Sequence, residues 1–237
     1  IRALHAAGVN VDGLLVYLAA LAGHAEAIRA LHAAGANVNT SNSSGETPVY
    51  AAAETGHALA IAALHAVGAN VNTPNNNGKT PIYIAAQNGH AAAIAALKAA
   101  GADVDMPDDD GIKPIFIAAK NGHVAAIAAF KAAGVNLDTP NNNGATLLFI
   151  AAQAGRVKTI KALLEAGANA SIYTPWGTAL EEVKKGKEPG YIEVVKLLEA
   201  HLKQYPNGIK PVSDSKQEAM TPADQFILEG KNSLEGL

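Results

Sequence analysis

The chain has 237 residues, of which 49% are hydrophobic and 16% charged, with a net charge of −3 and only 5% aromatic side chains. That apolar content offsets the entropy of ordering the backbone and excludes wholesale disorder, whereas the lack of a basic excess and of stacking aromatics argues against a nucleic-acid platform. Cysteine is absent, which removes disulfides, thiolate metal sites and cysteine nucleophiles, and no apolar run is long enough to suggest a membrane span.

The first residues, Ile1-Arg-Ala-Leu-His-Ala-Ala-Gly8, match Ile28 to Gly35 letter for letter, and Gly35, Gly68, Gly101, Gly134 and Gly167 follow one another at a constant interval of 33. A period of that size marks a solenoid whose units bury their apolar faces against their neighbours. The register divides the chain into a partial first unit (1–11), units 12–44, 45–77, 78–110, 111–143 and 144–176, a capping unit 177–203, and a remainder 204–237. The match at Ile1 implies that the chain opens inside the second helix of a unit, so either further residues are expected before it or something else is expected to cover that end. Gly8 to Gly35 is shorter than the period, and the shortfall falls at Val11-Asp12-Gly13, where a shortened or missing loop is expected.

Residues 78–110 show the unit most clearly. Thr80 before Pro81 is an N-cap followed by proline at the first helical position, where its missing N–H costs nothing. Gly89 and Gly101 are the left-handed stops of a first and a second helix, and Asn77-Gly78 marks a tight turn with positive φ. Leu14-Leu15, Lys113-Pro114 and Thr146-Leu147 lose part of the Thr-Pro start, so weaker helix starts are expected there. Beyond Gly177 charge is denser, an insertion is expected around Lys187-Glu-Pro-Gly190, and His201 stands where earlier units have glycine, so the repeat should stop in a helix Tyr191–Lys203. Tyr205-Pro-Asn-Gly and Lys210-Pro211 read as linker, and Thr221–Gly230 carries the signals of one short helix, docked on the cap or belonging to a following region.

Thr47-Pro48, Thr80-Pro81, Gly56-His57, Gly89-His90, Gly122-His123 and Gly68-Ala-Asn-Val-Asn72 resemble the ankyrin repeat over about residues 1–203. The resemblance implies an all-α solenoid of helix-turn-helix units with hairpin-like finger loops, a concave protein-binding face, and no catalytic chemistry of its own. One departure recurs: the family's Thr-Pro-Leu-His histidine is aromatic here, as Tyr17, Tyr50, Tyr83, Phe116 and Phe149. An aromatic ladder in place of a hydrogen-bonding one is read as packing.

His24, His57, His90 and His123 tempt a metal assignment, but equivalent residues of stacked helices stand about 8–10 Å apart while zinc gathers its ligands at about 2 Å. His32 and His65, followed by Lys98 and Lys131, form a solvent-facing ladder. Asp103, Asp105 and Asp108 to Asp110 lack the spacing and closing glutamate of a calcium loop. With no nucleophile elbow, phosphate loop or zinc-protease motif, neither an enzyme nor a cofactor is expected.

What remains is a recognition surface. By the resemblance, contacts fall on finger tips and on the ends of the inner helices: Ser43, Ser44, Glu46, Glu54 and Thr55; Asn76, Asn77, Lys79, Gln87 and Asn88; Asp109, Asp110, Ile112, Lys120 and Asn121; Asn142, Asn143, Ala145, Gln153 and Ala154. The expected role is a monomeric protein-interaction module in the cytoplasm whose partner is another protein, with a basic patch facing the acidic finger Asp108-Asp109-Asp110, and not nucleic acid or membrane. Two alternatives stand beside it. One is the recognition arm of a larger enzyme or bacterial effector, acting in a host cytosol, since the Ala- and Asn-rich units look like those of bacterial ankyrin proteins; the other is a spacer.

Overall fold

In the computed structural model the described residues are 12–186 and 189–209. The partial unit 1–11 and the short helix expected at 221–230 lie outside them, as do Lys187 and Glu188 of the expected insertion. The described residues form helices α1 (Asp12–Leu21), α2 (Ala25–Ala33), α3 (Pro48–Glu54), α4 (Ala58–Ala66), α5 (Pro81–Asn88), α6 (Ala91–Ala99), α7 (Pro114–Asn121), α8 (Val124–Ala132), α9 (Leu147–Gln153), α10 (Val157–Glu165), α11 (Ala179–Lys184) and α12 (Pro189–Gln204), with no strand among them. Odd-numbered helices stack on one another as an inner row and even-numbered helices as an outer row, each pair packing only on its neighbours.

The helix starts follow the capping residues. Thr47, Thr80, Thr146 and Thr178 each accept a hydrogen bond from the backbone N–H three residues on, whereas Lys113, which has no hydroxyl, makes none. Such a cap contributes about 0.5–2 kcal/mol. At the amino end, α1 reaches back to Asp12, so the place of the missing loop is helix; Gly13 fits because a Cβ there would meet the Thr40 side chain at 2.6 Å. At the carboxyl end, α12 extends through His201 to Gln204, where the earlier units turn at glycine.

The core is a set of columns at the repeat period. Ile28, Ile61, Ile94, Ile127 and Ile160 form one; Leu64, Leu97, Phe130 and Leu163 form another, all buried. Full burial of such a side chain contributes about 1.5–3 kcal/mol. Toward the ends of the inner helices the buried positions are alanine, as at Ala52, Ala53, Ala85, Ala86, Ala118 and Ala119, which lets neighbouring helices approach closely. Thr159 breaks a column of Ala60, Ala93 and Ala126, and its buried hydroxyl has no hydrogen-bond partner.

A second set of columns joins the units by polar contacts. His90 Nε2 lies 3.0 Å from the Glu54 carbonyl and His123 Nε2 lies 2.9 Å from the Gln87 carbonyl. Because a carbonyl only accepts, Nε2 carries the proton and donates. At the same position of the next unit Arg156 Nε donates to the Lys120 carbonyl at 2.9 Å. Each histidine ring also lies where a side chain on the preceding unit's glycine would go: a Cβ on Gly89 would approach His123 Nδ1 to 2.6 Å.

Two outcomes follow. Gly89 and Gly101 both hold positive φ, but the space beyond Gly101 is open. Gly101→Ala should therefore cost only the left-handed backbone, about 1–2 kcal/mol, and Gly89→Ala more, because His123 must also move; urea unfolding midpoints compare the two. Thr159→Val keeps the volume and removes the orphaned hydroxyl, and should raise the midpoint, by about 1 kcal/mol.

Candidate functional site

Each finger is closed by one side chain at the repeat register. Asn42 Oδ1 accepts from the backbone N–H groups of Ser44 (2.9 Å) and Glu46 (3.0 Å), and Asn75 Oδ1 from those of Asn77 (3.0 Å) and Lys79 (3.1 Å). Asp108 Oδ1 does the same for Asp110 (3.2 Å) and Ile112 (2.9 Å), and Asn141 Oδ1 for Asn143 (3.0 Å) and Ala145 (2.9 Å). Asp108 is thus a buried loop closure and does not belong to the exposed acidic tip, which consists of Asp109 and Asp110.

The fingers are also tied to one another. Asn76 N–H donates to the Ser44 carbonyl and Asn76 Nδ2 to the Ser43 carbonyl, both at 3.0 Å, and Asp109 N–H donates to the Asn77 carbonyl at 3.3 Å. The side chains of Ser43, Ser44, Asn77, Asp109, Asp110, Asn142 and Asn143 remain exposed along this row.

The aromatic column carries more than packing. Tyr17 Oη donates to Glu46 Oε2 at 3.3 Å, and Asn75 Nδ2 donates to Tyr50 Oη at 3.3 Å. At the same register Tyr83 has Asp108 as its neighbour. The Tyr17 and Tyr50 hydroxyls therefore hold the fingers that follow them, and hydrogen bonding persists in this part of the column where the sequence suggested its loss. Phe116 lacks the hydroxyl, and Phe149 instead meets Trp176 of the last finger with ring centroids 5.7 Å apart. Burial, followed by the charge of Glu46, pushes the Tyr17 and Tyr50 phenols up to about 12. Burial, followed by the neighbouring Asp108 carboxylate, drives Tyr83 up further.

The ends of the inner helices meet the finger bases on one face. Lys79 Nζ donates to Gln87 Oε1 at 3.4 Å and lies 5.4 Å from the Tyr83 ring centroid. Asn88 Nδ2 donates to the Glu54 carbonyl at 2.9 Å and Asn121 Nδ2 to the Gln87 carbonyl at 3.0 Å, so both are engaged in joining units. Thr55 Oγ1 turns back to the Ala51 carbonyl at 2.9 Å. Ala145 is buried, which removes it from any contact surface, whereas Gln153 is exposed.

Further along, Ile112, Phe116, Ile117, Lys120, Ile150 and Gln153 line, with Asn141, Asn143 and Ala154, a cleft of about 320 Å³ between α7, α9 and their fingers. Ile117 and Ile150 were missed by the sequence reading, although they recur at the 33-residue register of Ala51 and Ile84. Trp176 was missed too: it occupies the finger register of Asn143, and its half-exposed ring (48%) is the largest side chain on any described tip. Chemically the face offers hydrogen-bonding amides, the six charged side chains of Glu46, Glu54, Lys79, Asp109, Asp110 and Lys120, and one apolar cleft, groups suited to holding a surface.

Glu54 is half-buried, and its carboxyl is raised above the ordinary carboxylate range by burial first and by the charge of Glu46 second. A carboxyl whose folded pKa lies above its unfolded one opposes folding once ionised, and the penalty disappears as pH falls below the ordinary value of about 4.3. Glu54→Gln, the residue found at Gln87 and Gln153 of the same register, should therefore raise the thermal midpoint at pH 7, and the gain should vanish in acid. Phe116→Tyr would supply Asn141 with the hydroxyl that Tyr50 supplies to Asn75, and should leave the urea midpoint unchanged or raise it by up to about 1 kcal/mol.

A family model described as ankyrin repeats in three copies matches residues 16–108 and, again, 92–174. No curated protein matches the chain.

Proposed function

This chain belongs to the ankyrin-repeat family, and from that premise we propose that it binds a protein partner through the face formed by its finger row and inner-helix ends. Ankyrin repeats are generally protein–protein interaction modules and are typically non-catalytic. The observation that carries the assignment to this face is a contrast within the array. The positions that pack repeat from unit to unit, whereas Glu46, Lys79 and Ile112, or Glu54, Gln87 and Lys120, occupy equivalent places with different chemistry. Packing fixes the first set, and contact with something outside the array is free to shape the second.

The outer helices present a different surface. His32, His65, Lys98 and Lys131 are exposed there in one solvated row. No helix among the described residues is long and apolar enough to cross a membrane. Anchoring energy on the inner face comes from the cleft at Ile112, Ile117 and Ile150 and from the stem and charge of Lys120, since truncating side chains in desolvated pockets costs most at interfaces. Asp109 and Asp110, flanked by neutral tips, favour a basic patch on the partner and act mainly on the association rate.

With a partner recovered by affinity capture on the whole chain, Ile112→Ala and Gln87→Ala should weaken binding and Lys98→Glu on the outer row should not. Asp109→Lys combined with Asp110→Lys should slow association, with an effect that shrinks as salt rises. Weakening by Lys98→Glu alone would place the partner on the outer row and refute the assignment.

A further inference from the structure

Two features of the inner face are not explained by the packing of the array. The first is an acidic pair. Glu46 Oε2 accepts from Tyr17 Oη, and Glu54 stands one helical turn beyond Tyr50 on α3, so both carboxyls border the tyrosine column; burial first and the charge of Glu46 second raise the Glu54 carboxyl. Glu46 Oε2 is held by two neutral donors, Asn42 Nδ2 at 2.7 Å and Tyr17 Oη at 3.3 Å, which fix its position without neutralising it. Four acids elsewhere are paired with cations, Asp105 with Lys113 at 3.3 Å, Glu199 with Lys184 at 2.8 Å, Glu182 with Lys185 at 2.9 Å, and Glu26 with Arg29. Among the described residues no cation pairs with Glu46 or Glu54. The next cation along the face, Lys79, is turned away onto Gln87 and the Tyr83 ring.

The second feature is the apolar cleft two units further on. Its walls, Ile112, Ile117 and Ile150, are partly exposed although alanine stands at equivalent positions, Ala145 for Ile112 and Ala51 for Ile117 and Ile150. The scaffold therefore does not need isoleucine there. An uncompensated, half-buried acidic pair and an open aliphatic cleft on one continuous face are complementary to a ligand that carries a cation and an aliphatic group at a fixed separation.

We propose that the inner face holds an extended polypeptide segment of the partner, with a lysine or arginine between Glu46 and Glu54 and an aliphatic side chain in the cleft of Ile112, Ile117 and Ile150. The inference rests on the protein-binding reading above and specifies the partner's chemistry. Stacked helices lie about 8–10 Å apart, so two units span roughly 20 Å. An extended chain rises about 3.3 Å per residue, which puts the basic and aliphatic residues about six positions apart. The cation relieves the repulsion between the carboxylates, and the aliphatic group covers the isoleucines.

The test selects random peptides of about 16 residues, long enough to cover both features, by phage display on the whole chain, and then measures winning synthetic peptides by fluorescence anisotropy. The expected winners carry Lys or Arg and Leu, Ile or Val about six positions apart. Glu46→Gln with Glu54→Gln should weaken them about tenfold or more, and so should Ile112→Ala with Ile150→Ala. Replacing the peptide's basic residue by alanine should then cost nothing further in the glutamine variant. These substitutions use residues the chain itself places at the same registers (Gln87, Gln153, Ala145 and Ala51) or remove only a charge, so the fold should persist, as circular dichroism would show.

Winners without that spacing, weakened instead by Gln87→Ala or Lys120→Ala, would overturn the inference and leave the inner face as the binding face. Winners indifferent to every inner-face substitution would overturn both readings, and a library without winners would overturn the inference. Sedimentation of the chain alone should show a monomer; a dimer abolished by the same substitutions would make a second copy the occupant and likewise overturn it.

Discussion

A single helix pair of this chain has too little apolar surface to fold by itself, and burial against an identical neighbour is the constraint from which the rest of the molecule follows. Ile61 is fully buried only because a unit stands on each side of its own, and the same holds for Leu64, Ile94 and Leu97. The requirement is met twice in every unit, once per face, which is why the core columns repeat with so little change. The polar joints obey the same rule. A histidine, or Arg156 in its place, reaches a carbonyl in the last turn of the inner helix before it, and Tyr17 and Tyr50 reach the fingers after them.

Because neighbours dictate the columns, the fold was legible in the sequence. The 33-residue interval, the threonine caps and the terminal glycines locate the helices, and the loss of the cap at Lys113 is visible from the residue alone. The polar columns were less legible. An asparagine at 42, 75 or 141 reads as a loop residue, and only the folded chain shows its carbonyl oxygen closing two backbone N–H groups. Asp108 was misread for the same reason: three consecutive aspartates look like one charged tip, while the backbone turns the first inward and the next two outward. The tyrosine hydroxyls were undervalued because their partners lie one unit away, a relation that local pattern does not display.

The candidate face was legible by position and less so by character. Every residue assigned to it by register other than Ala145 keeps some exposure. Seven of them, Glu46, Thr55, Asn76, Lys79, Gln87, Asn88 and Asn121, spend side-chain hydrogen bonds inside the array, so they shape the surface as much as they offer contacts. The apolar cleft escaped notice because aliphatic residues on an inner helix look like core. Exposure is decided by what stands at the neighbouring register: Ile84 is buried at 5%, whereas Ile117 and Ile150, in the same column, border open space. Trp176 escaped because the register loosens toward the cap, where Thr174 takes over the role of the finger asparagine.

The finger-to-finger hydrogen bonds and the helix stack give the inner face a fixed pitch, and a pitch makes distance a countable quantity. Two chemical features on this surface can be separated by one, two or three units, and by nothing in between. Duplication or excision of a whole unit would leave every core column and every inter-unit joint satisfied while moving the acidic pair one step away from, or toward, the aliphatic cleft. In such a chain the length of the ligand that fits is set by the number of units between two features, so recognition can be retuned by gene rearrangement without altering any single contact.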